Sequence, residues 1–247
     1  MNEERVKING LNIEYKTVGE GDPILILHGW GSFADRWRTV AKLLAGYNFS
    51  VIIPDLPGFG NSNAPDSVWG FDDYCKLVEE FRKALGLGKI RLLGHSFGGN
   101  IAITYAIKHP ENLVKLYLVG AASIRDETVR KKTVYAASKT FRFLRFIEPL
   151  KKFIYRIIKS DYGTAKGIMK KIYLKVIKID LRDRLSEVKT ETLLIWGERD
   201  NITPLSHARM IQEGIAGSRL EIVPRLGHNL HSEAPGLLAN IIIGTKE

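Results

Sequence analysis

The chain has 247 residues and a net charge of +10, with 45% hydrophobic and 26% charged residues. This composition is that of a globular protein with one α/β domain or two small ones. No apolar run is long enough to span a membrane, and the N-terminus lacks the hydrophobic core of a signal peptide. The single cysteine, Cys75, excludes an internal disulfide and a multi-thiol metal site. We therefore expect a packed thiol and a cytoplasmic protein.

The first predicted element is a β-hairpin. Apolar and polar residues alternate on both sides of Asn9-Gly10, a pair that accepts the positive φ angles of a tight turn. Short apolar runs follow, typical of strands buried on both faces of a parallel sheet: 24–27, 51–53, 90–93, 116–119, 193–196 and 220–223. Helical patterns lie between them. This alternation predicts a doubly wound α/β sheet, in which ligands bind beyond the carboxyl ends of the strands.

The alternation stops between Ala121 and Thr190. Two apolar stripes at helical spacing occupy this stretch, one at 150–158 and one formed by Ile168, Ile172, Val176 and Ile179. Residues 125–189 also hold 19 Lys/Arg against 7 Asp/Glu, whereas the rest of the chain holds 18 against 20. We predict a core domain of residues 1–120 and 190–247, with a helical lid inserted at 121–189 over the carboxyl edge of the sheet.

The strongest motif is Gly94-His95-Ser96-Phe97-Gly98-Gly99, which follows a predicted strand and precedes a helix. A nucleophile elbow requires this context. The turn is so tight that side chains at Gly94 and Gly98 would clash, and the helix N-terminus favours developing negative charge. We predict that Ser96 is a nucleophile; the alternative is an ordinary strand–turn–helix corner that contains a serine.

A serine hydroxyl needs a base, and a base needs an orienting group. Asp200 follows the strand at 193–196, and His228 follows the strand at 220–223. Because the carboxyl ends of neighbouring strands converge, His228 is predicted to take the proton of Ser96 while Asp200 fixes its tautomer.

Other residues compete for these roles. Glu198 is an alternative acid, although the end of the loop favours Asp200. The remaining histidines are expected in other places: His95 packed under the elbow, His231 at the pocket or capping the final helix, and His109 and His207 on solvated helical surfaces.

Ester cleavage also needs donors for a tetrahedral oxyanion. The candidates are the Phe97 N–H and the Trp30 N–H, the latter in the turn His28-Gly29-Trp30-Gly31. His28 is expected to hold this turn by a hydrogen bond. The rings of Trp30 and Phe97 are expected to line the pocket, with plain core packing as the alternative.

Taken in chain order, these motifs resemble the α/β-hydrolase superfamily, in its serine-nucleophile, esterase-like branch: 28–31, 55–62, 94–99, 197–200 and 227–228. The resemblance covers residues 1–120 and 190–247, and the lid by position only. It implies a mostly parallel eight-stranded sheet with a cap between the sixth and seventh strands. It also implies the triad Ser96, Asp200 and His228, donors at Trp30 and Phe97, structural roles for Gly29, Gly94, Gly98 and the 55–62 loop, and no metal or organic cofactor.

The identity of the nucleophile and its neighbouring motifs distinguishes between branches of the superfamily. Dehalogenases and epoxide hydrolases carry aspartate where this chain has Ser96, and proline iminopeptidases have a different oxyanion loop. Carbon–carbon bond hydrolases of ring-cleavage products usually place tryptophan after the catalytic histidine, where this chain has Asn229. We therefore expect a carboxylesterase acting on a small-molecule ester. A carbon–carbon bond hydrolase and a non-catalytic ligand-binding receptor remain as alternatives.

The basic lid admits three interpretations. Its lysines and arginines can form a solvated face, hold an anionic lipid surface, or steer an acidic substrate such as an acyl group on a phosphate-bearing carrier. Nucleic acid is not an expected partner, because no aromatic–basic alternation accompanies the charge.

Overall fold

The computed structural model describes residues 1–125 and 167–245. One eight-stranded sheet has the order β1-β2-β4-β3-β5-β6-β7-β8. The strands are β1 Asn2–Ile8, β2 Leu11–Val18, β3 Asp22–Leu27, β4 Phe49–Pro54, β5 Ile90–His95, β6 Leu113–Val119, β7 Thr192–Gly197 and β8 Arg219–Val223. Strand β2 is antiparallel to both of its neighbours, β1 and β4, whereas the pairs among β3 to β8 are parallel. The predicted mostly parallel sheet is confirmed.

Helices cover both faces of this sheet. In the described residues they are α1 Arg38–Ala45, α2 Phe71–Ala84, α3 Phe97–Lys108, α4 Gly167–Val176, α5 Leu205–Gly214, α6 Leu230–Glu233 and α7 Pro235–Ile243. Within these ranges no helix combines the length and the apolar character needed to cross a membrane. Cys75 is buried in α2, and burial raises the pKa of its thiol to about 12, so the predicted packed thiol is confirmed.

The apolar runs of the central strands reflect burial on two sides. In β3, Leu25 and Leu27 belong to the hydrophobic cluster beneath α2 and α3, whereas Ile24 and Ile26 belong to the cluster beneath α1 and α7. Successive side chains of a strand point to opposite faces, so a strand covered on both faces is apolar at every position. The helices packed on both faces hold the central strands in place, and the site residues lie at the ends of these strands.

The hairpin prediction is also confirmed. Asn9 and Gly10 have φ angles of 48° and 85°, and Ile8 pairs with Leu11 across the turn. Both central residues therefore have the positive φ angles of a tight two-residue turn.

The inserted segment lies between β6 and β7, as predicted. Its described helix, α4, buries Met169, Ile172 and Val176, which confirms the stripe predicted at 168–179. The stripe predicted at 150–158 lies outside the described residues. The domain boundaries at 121 and 189 stay predictions.

Candidate active site

The sharp turn between β5 and α3 carries Ser96. Its φ angle is +52°, a backbone conformation that residues other than glycine rarely adopt. The Ser96 N–H donates to the Val119 carbonyl at 3.0 Å, and the Ser96 carbonyl accepts from the Ala122 N–H at 3.1 Å. These bonds tie the turn to the end of β6, so the surrounding structure maintains the strained conformation. The helix begins at Phe97, directly after the serine.

Three glycines allow the turn to pack closely. A Cβ atom at Gly94 would lie 2.5 Å from the Gly98 carbonyl oxygen, and one at Gly98 would lie 2.2 Å from the Leu27 carbonyl oxygen. At Gly29 a Cβ atom would lie 3.0 Å from His95 Nδ1 and 3.3 Å from Ser96 Cβ. The turn at Gly29 therefore lies directly against the serine.

His228 and Asp200 form a buried hydrogen-bonded pair. His228 Nδ1 lies 2.7 Å from Asp200 Oδ2. The other carboxylate oxygen, Oδ1, accepts from the N–H groups of Ile202 at 2.9 Å and Thr203 at 2.8 Å. Because a carboxylate accepts, Nδ1 of His228 carries the proton and Nε2 has a free lone pair, as a general base requires.

The charge of Asp200 is stabilised by its donors. Burial raises the pKa of this carboxyl group, but the hydrogen bonds from His228 and Thr203 outweigh burial and lower the pKa below its usual value. The competing acid, Glu198, is exposed and accepts the Arg225 N–H at 2.8 Å. The Glu198 carboxylate therefore bonds the backbone of the loop instead of orienting His228.

The end of β6 adjoins both the serine turn and the His–Asp pair. A Cβ atom at Gly120 would lie 3.1 Å from His228 Nδ1 and 3.3 Å from Asp200 Oδ2. Gly120 directly follows Val119, whose carbonyl group holds the Ser96 N–H. The serine turn and the His–Asp pair therefore flank the same strand end.

His95 lies behind the pair. Its Nε2 donates to the His228 carbonyl at 3.1 Å, and burial holds the pKa of its ring well below the usual value. His231 stacks on Trp37 at a centroid distance of 4.6 Å and contacts the His95 ring at 4.8 Å. Both are neutral rings packed beneath the loop that carries His228.

One histidine prediction was wrong. His207 is buried on the inner face of α5, whereas His109 stays partly exposed beside the Tyr105 ring, with centroids 5.0 Å apart. Helical periodicity predicts which face of a helix a residue lies on. A helix that packs on a sheet also buries side chains at the edge of its apolar face.

Sequence reasoning missed Thr203. Its hydroxyl donates to Asp200 Oδ2 at 2.7 Å and lies 3.2 Å from His228 Nδ1. An aspartate followed by threonine three residues later, in a loop that leads into a helix, is typical of side-chain-capped turns. The spacing of Asp200 and Thr203 is the sequence signal that could have identified Thr203.

The turn after β3 carries Trp30, one of the two residues predicted to donate to an oxyanion. His28 holds the turn: its Nδ1 donates to the Gly29 carbonyl at 2.8 Å, and its Nε2 accepts the Leu56 N–H at 3.0 Å. Burial lowers the pKa of His28 to about 4, so the ring is neutral and both bonds persist. Trp30 follows on this turn, and Phe97 is the first residue of α3, where N–H groups have no acceptor within the helix.

The 55–62 loop supports this turn. Asp55 accepts from the Ala34 N–H at 2.7 Å and from the Asn61 N–H at 2.9 Å. Both oxygens of its carboxylate therefore accept from backbone N–H groups of the loops, which is a structural role.

An aromatic wall forms around Trp30, on the turn whose Gly29 lies against Ser96. The Trp30 ring lies 4.9 Å from Phe59, 5.2 Å from Phe97 and 5.1 Å from Tyr173, measured between centroids. Tyr173 belongs to α4, so the inserted helix supplies part of the wall. Met169 of the same helix lies directly over Gly58.

The fold and the elbow define the class of protein. A strained serine between a parallel strand and a helix, with a His–Asp pair on later strand ends, is the arrangement of α/β-hydrolases. A model of the alpha/beta hydrolase fold family matches residues 22–152, and the chain belongs to that family.

Comparison with known proteins shows relatives of several activities. The chain is 27% identical over 248 residues to a 2-hydroxy-6-oxo-6-phenylhexa-2,4-dienoate hydrolase of Burkholderia cepacia, covering 90% of this chain and 86% of that protein. It is 31% identical to the serine hydrolase BPHL of Homo sapiens, covering 92% and 80%. Among solved structures, a membrane phospholipase A described as a bacterial virulence factor matches with a TM-score of 0.79 and 26% identity, covering 98% and 84%.

Proposed function

We propose that this chain is a serine hydrolase that cleaves carboxylic esters through an acyl-enzyme on Ser96. The observation that carries the proposal is the 2.7 Å contact between His228 Nδ1 and Asp200 Oδ2, held at the strand end to which the Ser96 turn is bonded. This contact orients Nε2 of His228 as an acceptor, and an activated serine requires such an acceptor.

The reaction proceeds in two halves. His228 Nε2 removes the hydroxyl proton as Ser96 Oγ attacks the ester carbonyl, and the resulting oxyanion accepts N–H bonds from Trp30 and Phe97. The tetrahedral intermediate collapses, the proton on His228 passes to the leaving alkoxide, and the acyl group remains on Ser96. Water, deprotonated by His228, then releases the carboxylic acid and restores the serine.

The aromatic wall favours an apolar substrate. The rings of Phe59, Phe97 and Tyr173 pack around Trp30, on the turn next to the nucleophile, and such surfaces bind hydrocarbon groups by removing them from water. An ester with an apolar acyl or alcohol group fits this wall. The likeness to a phospholipase A supports this class of substrate.

A carbon–carbon bond hydrolase is the second candidate, because the dienoate hydrolase of Burkholderia cepacia is similar over 90% of this chain. Against it stands Asn229, the residue after His228. Asn229 is exposed, and its N–H donates to Glu233 Oε1 at 3.0 Å. This position offers an outward polar residue where a tryptophan is usual in that class.

Labelling with a p-nitrophenyl phosphonate separates enzyme from receptor. We expect stoichiometric modification of Ser96 in the wild type, none in Ser96→Ala, and much slower modification in His228→Gln. Parallel assays with p-nitrophenyl esters and with the dienoate then decide between the two reactions. If Ser96 is labelled but only the dienoate is turned over, the chain is a carbon–carbon bond hydrolase and the ester proposal is wrong. If there is neither labelling nor turnover, the chain is a ligand-binding protein.

A further inference from the structure

Helix α4 has two faces of different character. Its inner face is buried against the hydrophobic core through Met169, Ile172 and Val176. The outer face, which continues through the turn after Val176, alternates lysine with apolar side chains: Lys171, Leu174, Lys175, Ile177 and Lys178. Leu174 is 40% exposed and Ile177 is 37% exposed. We call these five residues the outer face of α4.

The charge of this segment is of one sign. Residues 167–179 include four lysines and no aspartate or glutamate. The core helix α2 differs: its Lys83 lies near both Glu79 and Glu80, and its Asp72 pairs with Lys108. A solvated helix usually mixes signs in this way, so the outer face of α4 is not an ordinary solvated surface.

Exposed apolar side chains between lysines are suited to contact with an anionic lipid surface. In water, Leu174 and Ile177 leave hydrocarbon surface exposed, whereas the boundary between headgroups and acyl chains would bury it. Lysines beside them attract anionic headgroups, each contributing roughly five-fold to binding. Val68, 39% exposed, adjoins the same surface because its carbonyl accepts from Lys175 Nζ at 3.1 Å.

We propose that the outer face of α4 docks on an anionic lipid surface. The lysines contact the headgroups, while Leu174 and Ile177 enter the boundary with the acyl chains. On the opposite side of the helix, Tyr173 packs 5.1 Å from Trp30 of the candidate site. Docking therefore brings the lipid surface to the helix that forms part of the substrate wall. Binding itself does not require catalysis and stands apart from the proposed ester hydrolysis.

Vesicle co-sedimentation of the full chain tests the lysines. Wild-type protein is expected to bind phosphatidylcholine vesicles containing phosphatidylglycerol, to bind pure phosphatidylcholine far more weakly, and to dissociate as salt is raised. The double variant Lys171→Glu/Lys178→Glu should lower the partition coefficient by about ten-fold or more. Its matched control is Lys42→Glu/Lys89→Glu, which changes the net charge equally at two exposed lysines elsewhere and should have an effect below about two-fold.

A second pair tests the apolar contribution. Leu174→Ser should weaken binding to the anionic vesicles by about three-fold or more. Leu43→Ser changes a leucine of nearly equal exposure, 39%, on α1 and should leave binding unchanged. Circular dichroism and p-nitrophenyl ester turnover in the absence of vesicles establish that each variant is folded.

Three results would overturn the proposal. One is an equal loss of binding in the Lys171/Lys178 variant and its control, which would mean that net charge alone drives binding. Another is the absence of binding to anionic vesicles. The third is a dimeric wild type that Leu174→Ser converts to a monomer in light scattering, which would assign the outer face of α4 to a second copy of the chain.

Discussion

Thr203 Oγ1 lies 2.7 Å from Asp200 Oδ2, the carboxylate oxygen that also accepts the hydrogen bond of His228 Nδ1. The Thr203 N–H donates to the other oxygen at 2.8 Å. One residue therefore holds both oxygens of the acid, and the orientation of the carboxylate toward His228 depends on it. A buried charge is stabilised when its lone pairs are satisfied in this way.

Replacing the threonine hydroxyl should impair turnover without affecting substrate binding. Thr203→Val keeps the shape of the side chain but removes the donor, so Asp200 loses one charge-assisted hydrogen bond. We expect kcat to fall about ten-fold or more, since such bonds contribute about 1.5–3 kcal/mol. KM should change by less than about two-fold, because the Thr203 hydroxyl bonds the Asp200 carboxylate and is not part of the aromatic wall proposed to bind substrate. Thr203→Ser should restore most of the activity, and failure of this rescue would argue for a packing role.

The assignment of the acid can be tested by a pair of isosteric variants. Asp200→Asn offers no carboxylate to His228 Nδ1–H, so the imidazole loses its required tautomer. We expect kcat to fall by roughly 10³–10⁴. Glu198→Gln should retain activity within about three-fold, because Glu198 is exposed and bonded to the Arg225 N–H. The reverse ranking in ester assays would assign the acid to Glu198.

Acid should destabilise the fold through His231. Burial, followed by the nearby charges of His228 and Arg36, lowers its pKa from 6.5 to about 4. Between these two values the unfolded chain binds a proton that the folded protein does not, so the free energy of unfolding falls as pH falls through this window. At pH 4.5 one such group accounts for about 2–3 kcal/mol.

The variant His231→Phe keeps a ring against Trp37 but cannot titrate. In urea titrations, the loss of unfolding free energy between pH 7 and pH 4.5 should be smaller than in the wild type by about 2–3 kcal/mol. His28 and His95 titrate in the same direction, so some pH dependence remains. An identical pH dependence in the variant would show that His231 is protonated as readily in the folded state as in the unfolded chain.

The close packing of the turn around Ser96 predicts that one added methyl group strongly destabilises the fold. In Gly98→Ala the new Cβ atom would lie 2.2 Å from the Leu27 carbonyl oxygen, a backbone atom that cannot rotate away. We expect a loss of about 3 kcal/mol or more in unfolding free energy. Gly88→Ala is the control, because nothing lies within 4 Å of its added Cβ atom. Equal stability of the two variants in urea would contradict the geometry of the turn.

Much of the fold could be predicted from the sequence because its signals are local. The runs at 24–27 and 193–196 are apolar at every position since both faces of β3 and β7 are covered. Asn9-Gly10 and the glycines around Ser96 mark turns that few other residues allow. Each of these patterns reflects a constraint within a few residues along the chain.

The parts that could not be predicted depend on contacts between distant segments. The burial of His207 follows from how α5 packs on the sheet, which helical periodicity alone does not specify. Similarly, the bond from His95 to the His228 carbonyl joins residues 133 positions apart. The Trp30–Tyr173 contact also joins the core to the inserted segment, whose position no sequence motif fixes.

The proposed function depends on Ser96 as the nucleophile of an ester hydrolase. The most direct test is kcat/KM for p-nitrophenyl esters from two to sixteen acyl carbons, measured for wild type and Ser96→Ala. The wild type is expected to turn over these esters, and the variant to lose about 10³-fold or more, as removal of a nucleophile produces. Equal rates for the two proteins, or no turnover of any ester by the wild type, would contradict it.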